Sequence, residues 1–361
     1  MKKQLLLVLC LFMTFMMSNA QGNENKIQKI KNAFQSEVFQ LSGYGQILYN
    51  VNEYPERSLS PEIANNSISI ARAFLFASGK LGAKNQFGYM LMYDFGPNSK
   101  LYEFYGEWLP SGSISLRFGQ FKVPFTIENP ISLSRIETVF PARSVSALSG
   151  GGGDYNQWNP DGSSVSKTGR DAGFELYGFL FPTKNFFRVE YYTGLFNGTG
   201  MNTKDNNNRK DFLATAYVYP LKEFKLGGSI YSGKLPAYLK EQGHLPGDNF
   251  NTTRWTVGAE YKGNNLYGRA EYIAANDGGI KREGYYGLLV WKFVPNQWEI
   301  LGKYDYYNKN TQTNNGNSGD FTFGVNYYLA YLTRIQLNYI YSDNKAVGKN
   351  NTVAAQLQLY F

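Results

Sequence analysis

The sequence predicts an all-β protein, a transmembrane antiparallel up-and-down β-barrel of about 16 strands with a long third external loop folded into the lumen. Three observations support this fold class. The composition is rich in aromatic residues and glycine. Apolar and polar residues alternate with a period of two along most of the chain, and short connections alternate with long ones. A soluble β-sandwich would not require that rhythm of connections.

The composition suits a barrel whose outer surface contacts lipid and whose interior contacts water. Aromatic residues make up 17% of the 361 residues, with 29 Tyr and 26 Phe, and glycine occurs 38 times. The mean hydropathy is nevertheless only -0.39. Rings of aromatic residues at the two membrane interfaces account for the first property, and a polar lumen accounts for the second.

The two-residue alternation identifies individual strands. Trp255, Val257 and Tyr261 alternate with polar residues such as Arg254 and Glu260. Because a strand places alternate side chains on opposite faces, one face is predicted to contact lipid and the other water. Sixteen such segments lie near the following residues: Phe39, Ser67, Phe87, Leu101, Ser113, Gly173, Phe186, Phe212, Phe224, Arg254, Leu266, Tyr285, Trp298, Phe321, Thr333 and Thr352.

The connections between these segments differ systematically in length. Residues 182–185 and 263–265 are short and rich in turn-forming Pro, Gly and Asn, whereas residues 197–210 and 308–319 form longer polar stretches. An up-and-down barrel has tight periplasmic turns and longer external loops. The connections therefore favour this topology independently of the strands.

The first residues predict a secretory signal peptide at residues 1–20. Lys2 and Lys3 precede an apolar run at residues 5–17. This run is shorter than the roughly 20 residues that a helix needs to span a bilayer. Small residues lie just before the cleavage site, which is expected after Ala20. The mature protein is then predicted to lie in the outer membrane of a Gram-negative bacterium, in contact with outer-membrane lipid.

The mature chain is predicted to have two parts. Residues 21–38 form a short periplasmic segment whose apolar residues have helix-like spacing, and residues 39–361 form the barrel. The single cysteine, Cys10, lies in the predicted signal peptide, so neither a disulfide nor a thiolate metal site is expected. The chain ends in an amphipathic strand with a terminal aromatic residue, Phe361, which resembles the signal that the barrel-assembly machinery recognises in outer-membrane proteins.

The connection 122–170 is far longer than a typical loop. It follows the fifth predicted strand and is the third external loop if the N-terminus is periplasmic. A barrel of about sixteen strands leaves a water-filled channel too wide to discriminate small solutes. We therefore expect this loop to fold inward and narrow the pore, so that its charges govern selectivity.

The charge balance predicts a weak preference for anions. The formal net charge is +8, of which two positive charges belong to the predicted signal peptide. The long loop also carries carboxylates, namely Glu128, Glu137, Asp154 and Asp161. The candidate residues for a pore constriction or solute-binding site are Arg72, Arg117, Lys122, Arg135, Arg143 and Arg170. No dense basic block with base-stacking aromatics is present, so nucleic acid is not an expected partner.

Several motifs resemble the phosphate-selective porin O and P family of outer-membrane channels. The most specific is the stretch 116–125, Leu-Arg-Phe-Gly-Gln-Phe-Lys-Val-Pro-Phe, where the fifth strand enters the long loop. Together the motifs cover most of the predicted mature chain in the family's order. The shorter ones lie at residues 72–81, 170–173, 194–200, 298–305 and 323–329.

The resemblance implies a porin, assembled as a homotrimer of sixteen-stranded pores, that lets small polar or ionic solutes diffuse passively. It further implies that arginines of the third loop bind phosphate, and this chain offers Arg135, Arg143 and Arg170 there. At the loop entry, Gly119 would permit close backbone approach. Pro124 would help to end the strand because proline cannot donate to a sheet ladder.

Two other classes of function remain open. The long loop would act as a plug if the barrel were structural or adhesive. An outer-membrane barrel enzyme is less favoured, because an activated nucleophile needs a base within hydrogen-bond reach and the only histidine, His244, lies in a turn-rich loop. Neither a cofactor nor a metal is expected, and the chain is not predicted to be an enzyme.

Overall fold

The computed structural model describes residues 35–53, 66–97, 99–149, 169–205, 207–236, 249–313, 316–345 and 348–361. The predicted signal peptide and most of the predicted periplasmic segment lie outside the described residues. The second part of the long connection, with Asp154 and Asp161, lies outside them too, as does His244. The expectations about these residues therefore stay predictions.

Sixteen antiparallel strands form one closed barrel, in which each strand pairs with its neighbours in sequence and β1 pairs with β16. The antiparallel up-and-down barrel and the number of strands predicted from the sequence are thus confirmed, whereas the folding of the long third connection into the lumen stays a prediction. The first eight strands are β1 (Gln40–Glu53), β2 (Asn66–Leu81), β3 (Phe87–Asp94), β4 (Lys100–Trp108), β5 (Ser115–Lys122), β6 (Arg170–Pro182), β7 (Phe187–Phe196) and β8 (Asp211–Leu221). The others are β9 (Phe224–Pro236), β10 (Asn249–Lys262), β11 (Leu266–Asp277), β12 (Ile280–Val294), β13 (Trp298–Asn308), β14 (Asn317–Ala330), β15 (Thr333–Asn344) and β16 (Gly348–Tyr360).

The faces of the strands are inverted relative to those of a soluble protein. In β10, Trp255 and Val257 are 44% and 47% exposed, whereas Arg254 and Thr256 are only 1% and 4% exposed. The apolar face therefore lies outside and the polar face inside. A transmembrane barrel requires this arrangement because its outer surface contacts lipid.

Several strands begin earlier than the sequence pattern indicated. β10 starts at Asn249 rather than near Arg254, and β12 starts at Ile280 rather than near Tyr285. Residues 249–253 are mostly Asn and Thr. The part of a strand that extends beyond the lipid no longer needs an apolar outer face. The alternation of apolar and polar residues therefore disappears there, although the backbone hydrogen bonds to the neighbouring strands continue.

The two ends of the barrel differ in their connections. One end carries the long connections 54–65, 123–169, 197–210 and 237–248, and the other is closed by short turns such as 222–223. We call the first the external end and the second the periplasmic end, following the organisation of outer-membrane barrels. One external connection is tight: Gly278 and Gly279 form a two-residue hairpin with φ of 63° and 95°, values that glycine adopts most readily.

A short helix, α1 (Arg143–Leu148), lies in the described part of the long connection between β5 and β6 and contacts β11, β12 and β13. It belongs to the largest buried apolar cluster. Within that cluster, the connection contributes Val123, Phe125, Ala142, Val145, Ala147 and Leu148, and the strands contribute Phe121, Phe196, Leu213, Tyr231, Ile273, Ala275, Tyr286 and Tyr307. Among the described residues, no helix is both long and apolar enough to cross a membrane.

Candidate functional site

The first described part of the long connection, residues 123–149, contacts the polar faces of many strands, and we call it the connection segment. Near its start, the hydroxyl of Thr215 on β8 donates to the carbonyl of Pro124 at 2.6 Å. The ring of Phe125 packs edge-on against Tyr231 of β9, with 6.0 Å between ring centroids. The segment thus leaves β5 and packs first against β8 and β9.

Glu271 of β11 fixes the next part of the connection segment. Its carboxylate accepts the backbone N–H groups of Ile127 at 2.6 Å and of Glu128 at 3.2 Å. It also accepts the hydroxyl of Tyr286 on β12 at 2.7 Å. A buried carboxylate that accepts several N–H groups orders the backbone that donates them, because each donor would otherwise lack a partner.

Arg269 of β11 pairs with two carboxylates of the same segment. Its Nη2 atom lies 2.8 Å from Oε2 of Glu128 and 3.2 Å from Oε2 of Glu137. Burial raises the pKa of Glu137 above its ordinary value, and the positive charge of Arg269 opposes that shift. Glu128 also accepts the backbone N–H of Ala142 at 2.7 Å, so it connects two distant parts of the segment.

A row of inward side chains on β15 holds the middle of the segment. Arg334, Gln336 and Asn338 bond to backbone groups of residues 136–139 at 2.6, 2.9 and 2.8 Å, respectively. Their spacing of two places them on one face of the strand. Three consecutive inward positions therefore bind one short stretch of the segment's backbone.

The segment also reaches the seam where the barrel closes. Gln358 of β16 donates to the carbonyl of Ser134 at 2.9 Å, and Gln46 of β1 donates to Gln358 at 2.7 Å. Farther along, Arg254 of β10 donates to the carbonyl of Leu148 at 3.0 Å. The described part of the connection segment therefore contacts strands from β8 around to β1.

The two arginines that were candidates within this segment lie toward opposite ends of the barrel. Arg143 donates from two guanidinium nitrogens to Asp320, near the external start of β14, and its backbone N–H donates to Asp305 at 2.6 Å. Arg135 instead donates to the hydroxyl of Tyr331 at 2.8 Å, in a periplasmic turn. The structure does not bring these two guanidinium groups together.

Two candidate arginines on the strands form ion pairs with the barrel wall. Arg117 lies 2.7 Å from Glu107 and 3.2 Å from Glu175, between neighbouring strands. Arg170 lies 2.6 Å from Glu103. Each cation is therefore balanced locally by one or two carboxylates.

The remaining candidate cations are bonded to neutral groups. Arg72 donates to the side-chain oxygen of Gln46 at 2.7 Å. Lys122 donates to the backbone carbonyls of Asn129, at 2.7 Å, and of Ile131. Lys122 is also the ladder partner of Arg170, so these two candidates are adjacent where the long connection begins and ends.

The loop entry has the geometry expected around Gly119 and Pro124. Gly119 has a φ of 136°, and a Cβ atom there would lie 2.3 Å from the carbonyl oxygen of Phe104. Both facts require glycine at this position. β5 ends at Lys122, two residues before Pro124, and β6 begins at Arg170.

The neutral side chains that hold the segment are not identified by the sequence pattern. Gln336, Asn338 and Gln358 are buried and bond to its backbone, yet amides carry no charge that would single them out. Their two-residue spacing on the polar face was the available signal. Asp320, the partner of Arg143, was missed because nothing local distinguishes it from other carboxylates.

A cavity of about 540 Å³ lies between the connection segment and the external half of β13–β16 and β1. We call it the external cavity. Its charged lining residues are Arg143, Lys303, Asp305 and Asp320, and most of the others are neutral Asn, Ser and Thr. Among the described residues, no group of three or more His, Cys, Asp or Glu side chains could hold a metal ion.

Comparison with known proteins identifies related families and folds. Residues 231–361 match the model of the family described as Phosphate-selective porin O and P. No curated protein matches the sequence.

Solved structures with the same fold cover nearly the whole chain. The outer membrane channel DcaP of Acinetobacter baumannii is 13% identical, with a TM-score of 0.57 over 90% of this chain and 97% of that chain. OmpT of Vibrio cholerae, an outer membrane protein solved in a trimer form, is 12% identical, with a TM-score of 0.57 over 89% and 100%. OmpF of Salmonella typhi, in complex with Daunomycin, is 12% identical, with a TM-score of 0.62 over 89% and 97%.

At these identities, the structural comparison establishes the fold, and the family match adds the sequence relationship. The resemblance to the phosphate-selective porin O and P family is thereby confirmed over residues 231–361, and the described strands form a closed β-barrel with the porin fold.

Proposed function

We propose that the protein is an outer-membrane porin through which small polar or ionic solutes diffuse passively. The observation that carries this proposal is the position of the connection segment. It bonds to the polar faces of strands from β8 around to β1 and leaves the external cavity beside it. The family match and the porin fold support the same function.

In this proposal, the connection segment lies in the lumen and narrows it. The support is that its contacts are to the polar faces, while the apolar faces are exposed and suited to lipid. A wide barrel needs such a constriction before it can discriminate small solutes. The candidate cations Arg143, Lys122 and Arg170 would then border the narrowed path.

A weak preference for anions, phosphate among them, remains part of the proposal. It rests on the positive net charge of the chain. Each of the six candidate cations is bonded to a carboxylate, a hydroxyl, an amide or a backbone carbonyl. The preference would therefore come from the summed field of the protein rather than from one unpaired arginine.

A plugged barrel is the second candidate, and the apolar cluster favours it. The connection segment packs several buried apolar side chains against the strands, including Phe125 and Leu148. A segment that filled the lumen would also need such packing. In that case the barrel would be structural or adhesive rather than a channel.

The proposed assembly is a homotrimer in the outer membrane, after removal of residues 1–20. The trimer form of OmpT, a protein with a similar fold, supports this assembly. Phe361 exchanges two backbone hydrogen bonds with Gly43 of β1, at 2.9 and 3.0 Å. We propose that this C-terminal strand is the element that the barrel-assembly machinery recognises.

Planar-bilayer recording of the purified protein tests the proposal. We expect stepwise conductance increases when folded protein is added, and none with the heat-denatured sample. In a salt gradient, the reversal potential should indicate a small anion preference. If protein shown to be folded and inserted gives no steps, the plugged barrel replaces the porin.

A further inference from the structure

The external cavity has a regular wall because the strand register aligns its side chains in rows. Asp305 of β13 is paired with Asp320 of β14, which is paired with Ser342 of β15 and then with Asn350 of β16. Neighbouring strands lie about 4.8 Å apart, so such a row presents polar groups at regular intervals. At about 540 Å³, the cavity falls within the range of about 300–1,000 Å³ typical of small-molecule sites.

The charges in this cavity are balanced and engaged. Arg143 donates from two nitrogens to Asp320, and Lys303 donates to the carbonyl of Phe140 at 3.0 Å. The two cations are matched by Asp305 and Asp320 in the same wall. An entering anion would therefore meet two carboxylates, and an entering cation would meet an arginine and a lysine. This arrangement favours a neutral solute over either ion.

The wall also contains polar atoms without partners in the described structure. Buried polar atoms are almost always hydrogen-bonded, so such a group points to a missing partner. Asp305 and Asn338 each use one oxygen on the connection segment, through the N–H groups of residues 143 and 139. The atoms that make no hydrogen bond are Oδ1 of Asn50, Oδ1 of Asn350, Oδ1 of Asp305 and Nδ2 of Asn338.

These four atoms comprise three acceptors and one donor. A hydroxyl group both donates and accepts, so a solute with several hydroxyls can satisfy such a set, whereas an ammonium group can only donate. The atoms are themselves covered. Rotation about the soft terminal torsion of Asn50 and of Asn350 would turn their oxygens toward the cavity, while Asp305 and Asn338 are held by their bonds to the connection segment. Phe140 and Tyr307 are also among the lining residues, and an aromatic side chain offers an apolar surface on which the C–H face of a sugar ring can pack.

We propose that the external cavity is a binding site for a neutral polyhydroxylated solute of mono- or disaccharide size. This inference rests on the proposed porin function, because it identifies a substrate class for the same passage. The site binds the sugar through amides and hydroxyls of β14–β16 and β1 and through the two aromatic rings. It captures the solute at the external end before the constriction.

Saturation-transfer NMR with the purified, folded protein tests the site without requiring conductance. We expect glucose and maltose to give saturable transfer from the protein. The double substitution Asn50→Ala and Asn350→Ala should weaken maltose binding about tenfold, the effect of losing two neutral hydrogen bonds. The control Thr253→Ala removes a polar group from the outer face at the same end of the barrel and should leave binding unchanged.

Competition with an anion and with a cation tests the preference for a neutral solute. The inference is overturned if inorganic phosphate or spermidine displaces maltose at a lower concentration than glucose does, or if neither sugar shows transfer. Equal weakening in the Thr253→Ala control would also overturn it. Bilayer recording of the same preparation separates the two proposals: conductance without sugar binding refutes this site alone, and sugar binding without conductance refutes the porin alone.

Discussion

Removing the Glu271 carboxylate is the sharpest test of the connection segment as a constriction. Glu271→Ala leaves the backbone N–H groups of Ile127 and Glu128 without their acceptor. A buried donor without a partner costs about 1–3 kcal/mol, so the two together cost about 4 kcal/mol. Since every 1.4 kcal/mol is a factor of ten, conformations with this stretch detached should become roughly a thousandfold more populated.

The assay is single-channel recording in a planar bilayer. If the segment narrows the lumen, Glu271→Ala should raise the mean conductance and add current fluctuations. The detached backbone leaves the conducting path wider and enters it intermittently. Glu271→Gln keeps one acceptor oxygen and should give an intermediate effect. The barrel itself should stay folded, since its ladders do not depend on this side chain, and heat-modifiable migration in gels would verify that.

A matched control separates loss of the anchor from loss of a lumen charge. Glu190 lies on the polar face of β7, where it accepts the hydroxyls of Tyr192 and Tyr219, and none of its described hydrogen bonds joins it to the connection segment. Glu190→Ala should therefore leave the fluctuations unchanged. A constriction held by Glu271 is excluded if Glu271→Ala conducts like the unmodified protein, or if Glu190→Ala produces the same fluctuations.

Three further predictions concern folding, selectivity and assembly. Gly119→Ala should sharply reduce the yield of folded barrel, because the φ of 136° and the nearby carbonyl of Phe104 leave no room for a Cβ atom. Gly287→Ala is the control and should fold normally, since a Cβ atom there would have nothing within 4 Å. Heat-modifiable migration in gels measures both yields, and equal yields would contradict the predicted strain at residue 119. Arg143→Ala frees the carboxylate of Asp320, so the reversal potential in a salt gradient should move toward cation selectivity; no movement would place Asp320 outside the conducting path. Phe361→Ser should slow barrel assembly in outer-membrane extracts while the backbone ladder of β16 persists, and unchanged assembly would show that the terminal ring is dispensable.

The sequence by itself determined the class of fold and the number of strands. The period-two alternation around Trp255 and Arg254 is a local property, since each strand must present one apolar and one polar face whatever its neighbours do. The position of the long connection could be read in the same way, from the missing alternation between the fifth and sixth strands. β10 extends beyond the lipid to Asn249, where apolar and polar residues no longer alternate, so the sequence predicted the start of this strand too late in the chain.

Only the tertiary structure decided how the candidate charges are used. Arg143 and Asp320 are 177 residues apart in sequence, and Glu271 binds backbone groups more than 140 residues away. Such contacts depend on which part of a folded-back chain meets which inward position of the wall, and no local pattern encodes that. The row Asp305, Asp320, Ser342 and Asn350 likewise exists only through strand register, which is why the external cavity and its balanced charges could not be derived from residue types alone.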